Sequence, residues 1–393
     1  MKLNLKNLLK EKMEVSKLRT FRQNDFFSME SLHSLIEDAI DLGASDIHIN
    51  GDNYIRFEVH GRFFRVSGHT LDALEVISLV NNLYKSDTGS DMVLAGENLN
   101  HEYEYRYKKK GSDLVKSYNF RVNTTAATVF GRPCPTVTVR QLNEEPPIWG
   151  DMGYGESLWD IWRPDNGLVV VSGATGTGKS TLLASGSRRI LEERSNEKIV
   201  TLESPIEYIL HPYQSESTLV VQRSVPKNCR TFVEGVEEAL RQHPTIVVVG
   251  EARKREEIEA ALLVCVTGHL TYTTTHTNSV PETGHRLLNE FPIEEQRSRL
   301  GDIIYSSRLF VNQRLLPSTD GKRVAIREIL PFDRDVLNHL EKVDPVNLKS
   351  EMRKMVGEYG QSFGEHASHF LRQGLLEQNQ VDSILLSEKS EIK

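Results

Sequence analysis

The pattern of hydrophobic and polar residues changes near residue 143. Before that point, LHSLIEDAIDLG (32–43) repeats apolar residues at helical spacing and ends in glycine, which predicts a helix. A second helix is predicted over 71–84. Short alternating segments predict strands at SDIHIN, YIRFEV, RFFRVS, EYEYRYK, KSYNFRVN and TVTVRQ. Residues 28–142 are therefore predicted to form an α+β domain with one mainly antiparallel sheet.

Beyond that point the segments GLVVV, KIVTLE, TIVVVG and LTYTTTH alternate with long amphipathic stretches. Apolar runs of this kind are typical of a parallel sheet covered by helices on both faces. Between the two patterns, NEEPPIWGDMGYG is rich in proline, glycine and acid and has no periodicity, which predicts a linker over 143–157. An α/β domain is then predicted over 158–332, and a helical C-terminal part over 333–393.

Length and composition indicate a globular protein of two domains. Its 393 residues exceed what one core usually organises, and 38% hydrophobic with 26% charged residues is ordinary. The net charge of −7 provides no general basic field for nucleic acid. Only YRYKKKG (105–111) mixes basic and aromatic residues, and a hairpin surface explains that cluster more simply. We therefore expect no stable binding of nucleic acid.

The cysteines and the N-terminus bear on location. Cys134, Cys229 and Cys265 lie far apart, which favours a reducing cytosol. The apolar runs are too short to cross a bilayer, and the first residues lack the apolar core of a signal peptide. This leader, 1–27, could be solvated or could form a basic amphipathic helix that contacts a membrane peripherally.

The segment GATGTGKST (173–181) matches the phosphate-binding pattern G-x-x-x-x-G-K-[ST] in full. It follows a predicted strand and opens a predicted helix, so that backbone N–H groups and the helix N-terminus would face the phosphates of ATP. Lys179 is expected to reach the β- and γ-phosphates, and the Ser180 hydroxyl to hold Mg²⁺. The alternative is a glycine-rich turn with an incidental lysine. The residues predicted to bind the nucleotide here are Gly173, Ala174, Thr175, Gly176, Thr177, Gly178, Lys179, Ser180 and Thr181.

A pair of acids follows the next predicted strand. In KIVTLESPIEYILH the strand ends at Glu203, and a turn at Pro205 brings Glu207 close behind it. Carboxylates at the C-terminal end of a strand lie where doubly wound sheets place ligands. Glu203 is therefore a candidate to hold Mg²⁺ or to orient water; the alternative is two solvated acids on a loop.

The strand in TIVVVGEAR delivers Glu251 to the same predicted edge. It follows the helix FVEGVEEALRQH, for which Thr231 and Glu234 form a predicted capping box. A glutamate at this place can polarise an attacking water and accept its proton, as phosphoryl transfer requires. Taken alone, the segment could equally be a plain strand end.

A histidine marks the end of the fourth strand. In TGHLTYTTTHTNS (267–279), Gly268 ends a predicted helix, residues 270–275 form a strand, and His276 follows it. Alone, such a histidine is more often structural than catalytic. As the fourth group at one edge, His276 becomes a candidate sensor of the γ-phosphate, whereas His269 is expected to be structural.

With these four segments in order, the chain closely resembles the secretion and pilus traffic ATPases, the family of PilT-type retraction motors. The phosphate loop, an acidic box (TLESPIEY), a strand ending in Gly-Glu (VVVGEAR) and a histidine box (TGHLTYTTTHTNS) make that family's signature set. The resemblance implies that Glu251 is the catalytic glutamate, because this family ends the strand in Gly-Glu and not in Asp-Glu. It adds Lys179, Glu203 and His276 to the catalytic set.

The resemblance also implies an architecture: a RecA-like P-loop NTPase domain preceded by a PAS-like α+β domain that opens at ASDIHIN. In NFRVN and TVTVRQL it makes Arg121 and Arg140 candidates to reach a bound nucleotide. The implied assembly is a homo-hexamer at the cytoplasmic face of the inner membrane. It would use ATP and Mg²⁺ to drive a secretion or conjugation complex.

Two departures from the family pattern suggest a branch. Ser204 stands where many members carry aspartate, and LRQHPT replaces the commoner LRxDPD. Together with GQSFGEHASHFLRQGLL near the end, they resemble the conjugation and type IVB secretion branch (TraJ and DotB-like). A pilus retraction motor, a RecA-like nucleic-acid motor, and a scaffold that is switched by nucleotide binding alone remain the alternatives.

Overall fold

The computed structural model describes residues 26–59, 62–109, 111, 114–142 and 145–391. The chain divides into two units between residues 144 and 145, which we name the N-terminal unit and the C-terminal unit. The predicted leader, 1–27, lies outside the described residues apart from its last two positions. Among the described residues, no helix has both the length and the apolar character needed to cross a bilayer.

The N-terminal unit combines helices with a six-stranded sheet. Its elements are α1 (Met29–Leu42), β1 (Asp46–Asn50), β2 (Arg56–Val59), β3 (Arg62–Arg65), α2 (Ala73–Tyr84), α3 (Gly89–Leu94), β4 (Leu99–Tyr107), β5 (Lys116–Val129) and β6 (Arg132–Gln141). The strand order is β3-β2-β1-β6-β5-β4, and every neighbouring pair is antiparallel. The predicted antiparallel sheet and the two predicted helices are confirmed.

Local signals in the sequence set the bounds of the first helix. The Ser28 side chain accepts a hydrogen bond from the Ser31 N–H at its start, and Gly43 ends it in the left-handed conformation with φ 69°. Its apolar stripe is buried in the core of this unit: Leu32, Leu35, Ile36, Ala39 and Ile40. The alternating apolar residues of β1 and β6 complete that core.

The C-terminal unit alternates strands and helices. Its elements are α4 (Glu156–Trp162), β7 (Gly167–Ser172), α5 (Lys179–Glu193), β8 (Glu197–Glu203), β9 (Thr218–Ser224), α6 (Phe232–Leu240), β10 (Ile246–Val249), α7 (Arg255–Val266), β11 (Leu270–Thr275), α8 (Val280–Asn289), α9 (Ile293–Ser306), β12 (Ser307–Pro317), β13 (Arg323–Pro331), α10 (Arg334–Leu340), α11 (Leu348–Tyr359), α12 (Phe363–Arg372) and α13 (Gln378–Glu391). Short 3-10 helices lie at Gly150–Met152, His211–Tyr213 and Pro345–Asn347.

The seven strands of this unit form a sheet with the order β13-β12-β7-β11-β10-β8-β9. All pairs are parallel except β12 with β13. Along β7, Val170 belongs to one apolar cluster, and Val169 and Val171 to another. The sheet is therefore buried on both faces, which confirms the predicted parallel sheet. The pattern did not predict β9, β12 or β13, whose charged and polar residues interrupt the apolar runs.

The segment before α4 is packed into the C-terminal unit. Trp149 is buried and contacts the rings of Tyr154, Trp159 and Trp162. These four side chains belong to the same apolar cluster as Val169 and Val171. The predicted linker over 143–157 stays a prediction; residues from Trp149 onward are anchored by this cluster, which leaves little room for a hinge beyond residue 148.

The contact between α5 and Trp162 gives a stability prediction. A Cβ atom on Gly186 would overlap the Trp162 indole, whose Cε2 would lie 2.6 Å away. We expect Gly186→Ala to lower the free energy of unfolding by about 1–3 kcal/mol, because the close-packed core must shift. Gly301→Ala is the matched control. Its Cβ would meet nothing within 4 Å, so the free energy of unfolding should rise by about 0.5–1 kcal/mol. Equal effects of the two variants in chemical denaturation would contradict this packing account.

Candidate functional site

Four segments that the sequence singled out follow neighbouring strands of the C-terminal sheet. Gly173 follows β7, Glu203 ends β8, Glu251 lies two residues beyond β10, and His276 follows β11. Because these strands are parallel, their carboxyl ends meet at one edge, where such sheets bind ligands. Contacts between the side chains, described below, join three of the four segments.

The first segment, which we name the glycine loop (residues 173–178), has a backbone that only glycine adopts readily at three positions. Gly173, Gly176 and Gly178 have φ values of 148°, 78° and 86°. A Cβ on Gly173 would also overlap the Gln313 carbonyl, and one on Gly178 would lie 3.0 Å from Gln313 Nε2. Helix α5 begins directly after the loop, so its N-terminus faces the concave side, as an anion site requires.

Lys179 is held at the centre of the edge. Its Nζ donates to the carbonyls of Gly173 (2.8 Å) and Ala174 (3.0 Å) and lies 3.3 Å from His276 Nδ1. The side chain is buried, and burial lowers the pKa of Lys179, while the Glu251 carboxylate opposes that shift. A buried ammonium group bound to neutral carbonyls in this way has its charge available for an anion.

Glu251 and His276 continue the chain of contacts. Glu251 Oε1 is buried and lies 3.0 Å from His276 Nε2 and 2.6 Å from Arg253 Nε. Burial and Lys179 lower the pKa of His276, which favours the neutral ring. A proton on Nε2 then faces Glu251, and Nδ1 can accept from Lys179. The Glu251 carboxylate is thus held at the edge by Arg253 and His276, and it must be released from them before it can bind a water.

The residue before Glu251 explains why glycine stands there. The Gly250 N–H donates to the Leu202 carbonyl at 2.7 Å, and a Cβ on Gly250 would lie 2.9 Å from that oxygen. A larger residue would force the two strand ends apart. Gly250 therefore allows Glu251 to approach the end of β8.

Glu203 lies at the end of β8 with polar neighbours. Its Oε1 accepts from Thr201 Oγ1 at 2.6 Å and from Gln222 Nε2 at 3.3 Å, and burial raises the pKa of Glu203 to about 7. Among the described residues, no group of three or more His, Cys, Asp or Glu could hold a metal unaided. Mg²⁺ keeps water and phosphate ligands and needs only one or two protein oxygens, so the predicted roles of Ser180 and Glu203 toward it stay predictions.

Arg121 and Arg140 lie in the N-terminal unit. They face each other across β5 and β6, on the side of the sheet opposite the buried Phe120 and Val139. Arg140 Nε donates to the buried carboxylate of Asp46 at 2.7 Å. The structure thus brings the two arginines together on one face, and their predicted role toward a nucleotide stays a prediction.

Several polar residues around this edge were not among the predicted site residues. Tyr208 OH lies 2.9 Å from Thr181 Oγ1, and Gln313 Nε2 donates to the Thr177 carbonyl at 2.6 Å. Arg253, the last residue of TIVVVGEAR, pairs with Glu251. Tyr208 and Arg253 are the last residues of TLESPIEY and VVVGEAR, whereas Gln313 lies outside every motif and reaches the edge only because distant strands pair.

Comparison with known proteins now identifies the family. Residues 22–322 match the family described as Type II/IV secretion system protein. Because that match covers most of the chain, the protein belongs to this family, the secretion and pilus traffic ATPases, as its four motifs predicted.

The chain is also similar to individual members of this family. The chain is similar to the solved Legionella pneumophila ATPase DotB, with a TM-score of 0.83, 35% identity and coverage of 94% of this chain and 99% of that one. It is 33% identical to the type IV pilus retraction ATPase PilT of Pseudomonas aeruginosa over 73% of this chain and 78% of that protein. A solved structure of the pilus retraction motor PilT with bound ADP has a TM-score of 0.72, 26% identity and coverage of 89% and 95%. A match of 35% identity to YggR of Escherichia coli spans 50% of this chain and 59% of that protein. The predicted likeness to DotB is confirmed.

Proposed function

We propose that this protein is an ATPase that hydrolyses ATP with Mg²⁺ to drive a type IV secretion or conjugative transfer machine. The observation that carries the proposal is the continuous chain of contacts from the glycine loop through Lys179 and His276 to Glu251. Membership of a family that contains ATPases, and similarity to DotB, support it. We further propose that the C-terminal unit is RecA-like and that the N-terminal unit is PAS-like.

The residues of the site divide the work of phosphoryl transfer among them. The N–H groups of the glycine loop and the N-terminus of α5 bind the phosphates, and Lys179 neutralises charge on the leaving and transferred groups. Glu251 orients the attacking water and accepts its proton. His276, held between Lys179 and Glu251, reports the presence of the γ-phosphate to both. Ser180 and Glu203 would hold Mg²⁺, which would supply further positive charge when bound.

The same contacts give the site a resting arrangement. Lys179 is bound by two loop carbonyls, and Glu251 is paired with Arg253 and His276. A triphosphate competes with the carbonyls for Lys179 and with Glu251 for the cations. Binding therefore releases the glutamate toward water, which couples catalysis to occupancy.

We propose a homo-hexamer that works at the cytoplasmic face of the inner membrane, with Arg121 and Arg140 supplying positive charge to a bound nucleotide. An arginine added to such a site stabilises the transferred group strongly, so an isolated subunit should turn over slowly. The specific activity should rise with protein concentration as subunits assemble. Mass photometry and phosphate release measured on the same samples test this link.

A pilus retraction motor is the second candidate, since the chain is 33% identical to PilT. The two functions share the chemistry and differ in the membrane complex that the ring drives. Glu251→Gln should trap the ATP-bound ring, which can then be isolated with its partner from membranes of the source cell. Secretion or conjugation components in that complex support the first function, and pilus platform components support the second.

One assay distinguishes a nucleic-acid motor from a secretion ATPase and a pilus retraction motor. Single-stranded DNA is titrated into phosphate-release measurements with wild-type protein and the Lys179→Ala variant. We expect hydrolysis that depends on Lys179 and does not respond to DNA. Strong stimulation by DNA that falls with added salt would favour the nucleic-acid motor instead. Absence of hydrolysis at every protein concentration would overturn the proposed activity.

A further inference from the structure

Gln313, on the neighbouring strand β12, lies directly beneath the glycine loop. It is 1% exposed, and its Nε2 donates to the Thr177 carbonyl at 2.6 Å. In a planar trans peptide the carbonyl and the following N–H point in opposite directions. A hydrogen bond that holds the Thr177 carbonyl down toward the strand therefore turns the Gly178 N–H up, toward the concave side of the loop.

Arg327 sets the orientation of that glutamine. It is the residue opposite Gln313 on β13, and its Nε donates to Gln313 Oε1 at 2.8 Å. A guanidinium group only donates, so the amide oxygen must face Arg327 and the amide nitrogen must face the loop. Without Arg327 the side-chain amide could turn over and present its oxygen to the Thr177 carbonyl.

Arg327 is costly to keep where it is. It is 2% exposed, forms no ion pair with a carboxylate among the described residues, and has the Tyr154 side chain as its neighbour on the side away from Gln313 Oε1. Its guanidinium lies 4.4 Å from the centre of the Tyr154 ring, and burial lowers its pKa to about 10, which leaves it charged at neutral pH. A buried cation without a carboxylate partner usually costs a fold stability. Stability alone does not account for it.

The surroundings hold the backbone of Arg327 firmly. His366 Nδ1 accepts its N–H at 2.9 Å, and Gln361 Nε2 donates to its carbonyl at 3.0 Å. Burial and Arg327 lower the pKa of His366 to about 4, so the ring stays neutral and can accept. The edge strand and the start of α12 thus form a fixed support behind Gln313.

We propose that Gln313 and Arg327 are positioning residues for the phosphate site: Arg327 orients Gln313, and Gln313 fixes the Thr177–Gly178 peptide so that its N–H faces the phosphates before nucleotide arrives. This inference rests on the proposed function, since it assigns the device to the nucleotide that the loop binds. The pair contacts neither the nucleotide nor the water, and it acts through the backbone of the loop.

The test compares nucleotide affinity with stability in matched variants of the full chain. Gln313→Glu keeps the shape, gains an ion pair with Arg327, and presents only acceptors to the Thr177 carbonyl. We expect it to bind MgADP about tenfold more weakly, with a melting temperature close to wild type. Arg327→Met should weaken MgADP binding about fivefold; the loss of a buried charge and the loss of the donor to Gln313 Oε1 have opposite effects on stability, so the melting temperature should change little.

The control removes a partly buried arginine from the same unit. Arg163 pairs with Glu197 at 2.7 Å, near the amino end of β8 and away from the glycine loop. Arg163→Met should lower the melting temperature and leave the affinity for MgADP unchanged. In ATP hydrolysis, Gln313→Glu should raise KM by the same factor as the MgADP dissociation constant and change kcat by less than about twofold, because the loop holds ground and transition states alike.

A double-variant cycle tests whether Arg327 acts through Gln313. In a Gln313→Leu background, Arg327→Met should weaken MgADP no further. If the losses of MgADP affinity in the two single variants add fully in the double variant, Arg327 does not act through Gln313. If wild-type protein binds MgADP and Gln313→Glu binds it with the same affinity, this inference alone is overturned. The same holds if the variants lose affinity for MgADP only in proportion to a fall in melting temperature. Wild-type protein that fails to bind MgADP would overturn the proposed function as well.

Discussion

Glu251→Gln should lower the rate of ATP hydrolysis by about 10²–10⁴-fold and leave ATP affinity close to wild type. Glutamine keeps the size and can still face water, but it cannot accept the proton. The carboxylate lies at the strand edge, 3.0 Å from His276 Nε2 and 2.6 Å from Arg253 Nε, and in the proposed mechanism nucleotide binding releases it toward water. The ion pairs of Glu251 are with Arg253 and His276 and not with the glycine loop, so binding should survive. Phosphate release and equilibrium binding of a fluorescent ATP analogue measure the two effects.

The control for this prediction is Glu256→Gln. Glu256 is exposed in the first turn of α7, five positions along the chain, so the same change of charge occurs outside the site. It should hydrolyse ATP at the wild-type rate. Phosphate release from Glu251→Gln within about threefold of wild type would remove Glu251 from the catalytic role, since a general base contributes far more than that.

Lys179→Ala should abolish hydrolysis and weaken the binding of MgATP by about 100-fold. The ammonium group is the buried cation of the loop, and its present acceptors are two neutral carbonyls. A phosphate offers the same donors a full negative charge, so the exchange favours the nucleotide. Removal of Nζ loses those charge-assisted bonds and leaves the two carbonyls without their donor.

Lys198→Ala is the matched control for the lysine. Lys198 Nζ also donates to a backbone carbonyl, that of Gln242 at 2.5 Å, but it lies near the start of β8, at the other end of the strand from Glu203. The variant should bind MgATP like wild type. Equal losses of affinity in the two lysine variants would mean that Lys179 acts through general stability and not at the phosphates.

The sequence predicted those parts of the site that depend on patterns among residues close together in the chain. The glycine loop, the start of α5 at Lys179, and strand β11 ending before His276 all come from local spacing and apolar runs, and the structure has them at those positions. Glu251 could be placed at the edge because a buried strand must end there. The four motifs in order also gave the family, which the match over residues 22–322 confirms.

The parts that the sequence did not predict depend on long-range pairing. Strands β12 and β13 carry Asn312, Gln313 and Arg327 within apolar runs, so neither the helical nor the alternating pattern fits them. Their role appears only once β12 pairs with β7 and places Gln313 beneath the glycine loop. Trp149 reads as part of a linker by composition, but its ring contacts with Trp159 and Trp162 place it in the core. Local sequence patterns do not predict contacts between residues that are far apart in the chain.

The most direct test is a crystal structure of the full-length protein with Mg²⁺ and a non-hydrolysable ATP analogue. The account predicts that Lys179 Nζ leaves the Gly173 and Ala174 carbonyls for the β- and γ-phosphates. It also predicts that the Glu251 carboxylate hydrogen-bonds a water in line with the γ-phosphate, with His276 beside it. A nucleotide bound with Lys179 still on the loop carbonyls, and with Glu251 directed away from the terminal phosphate in every subunit, would contradict the account.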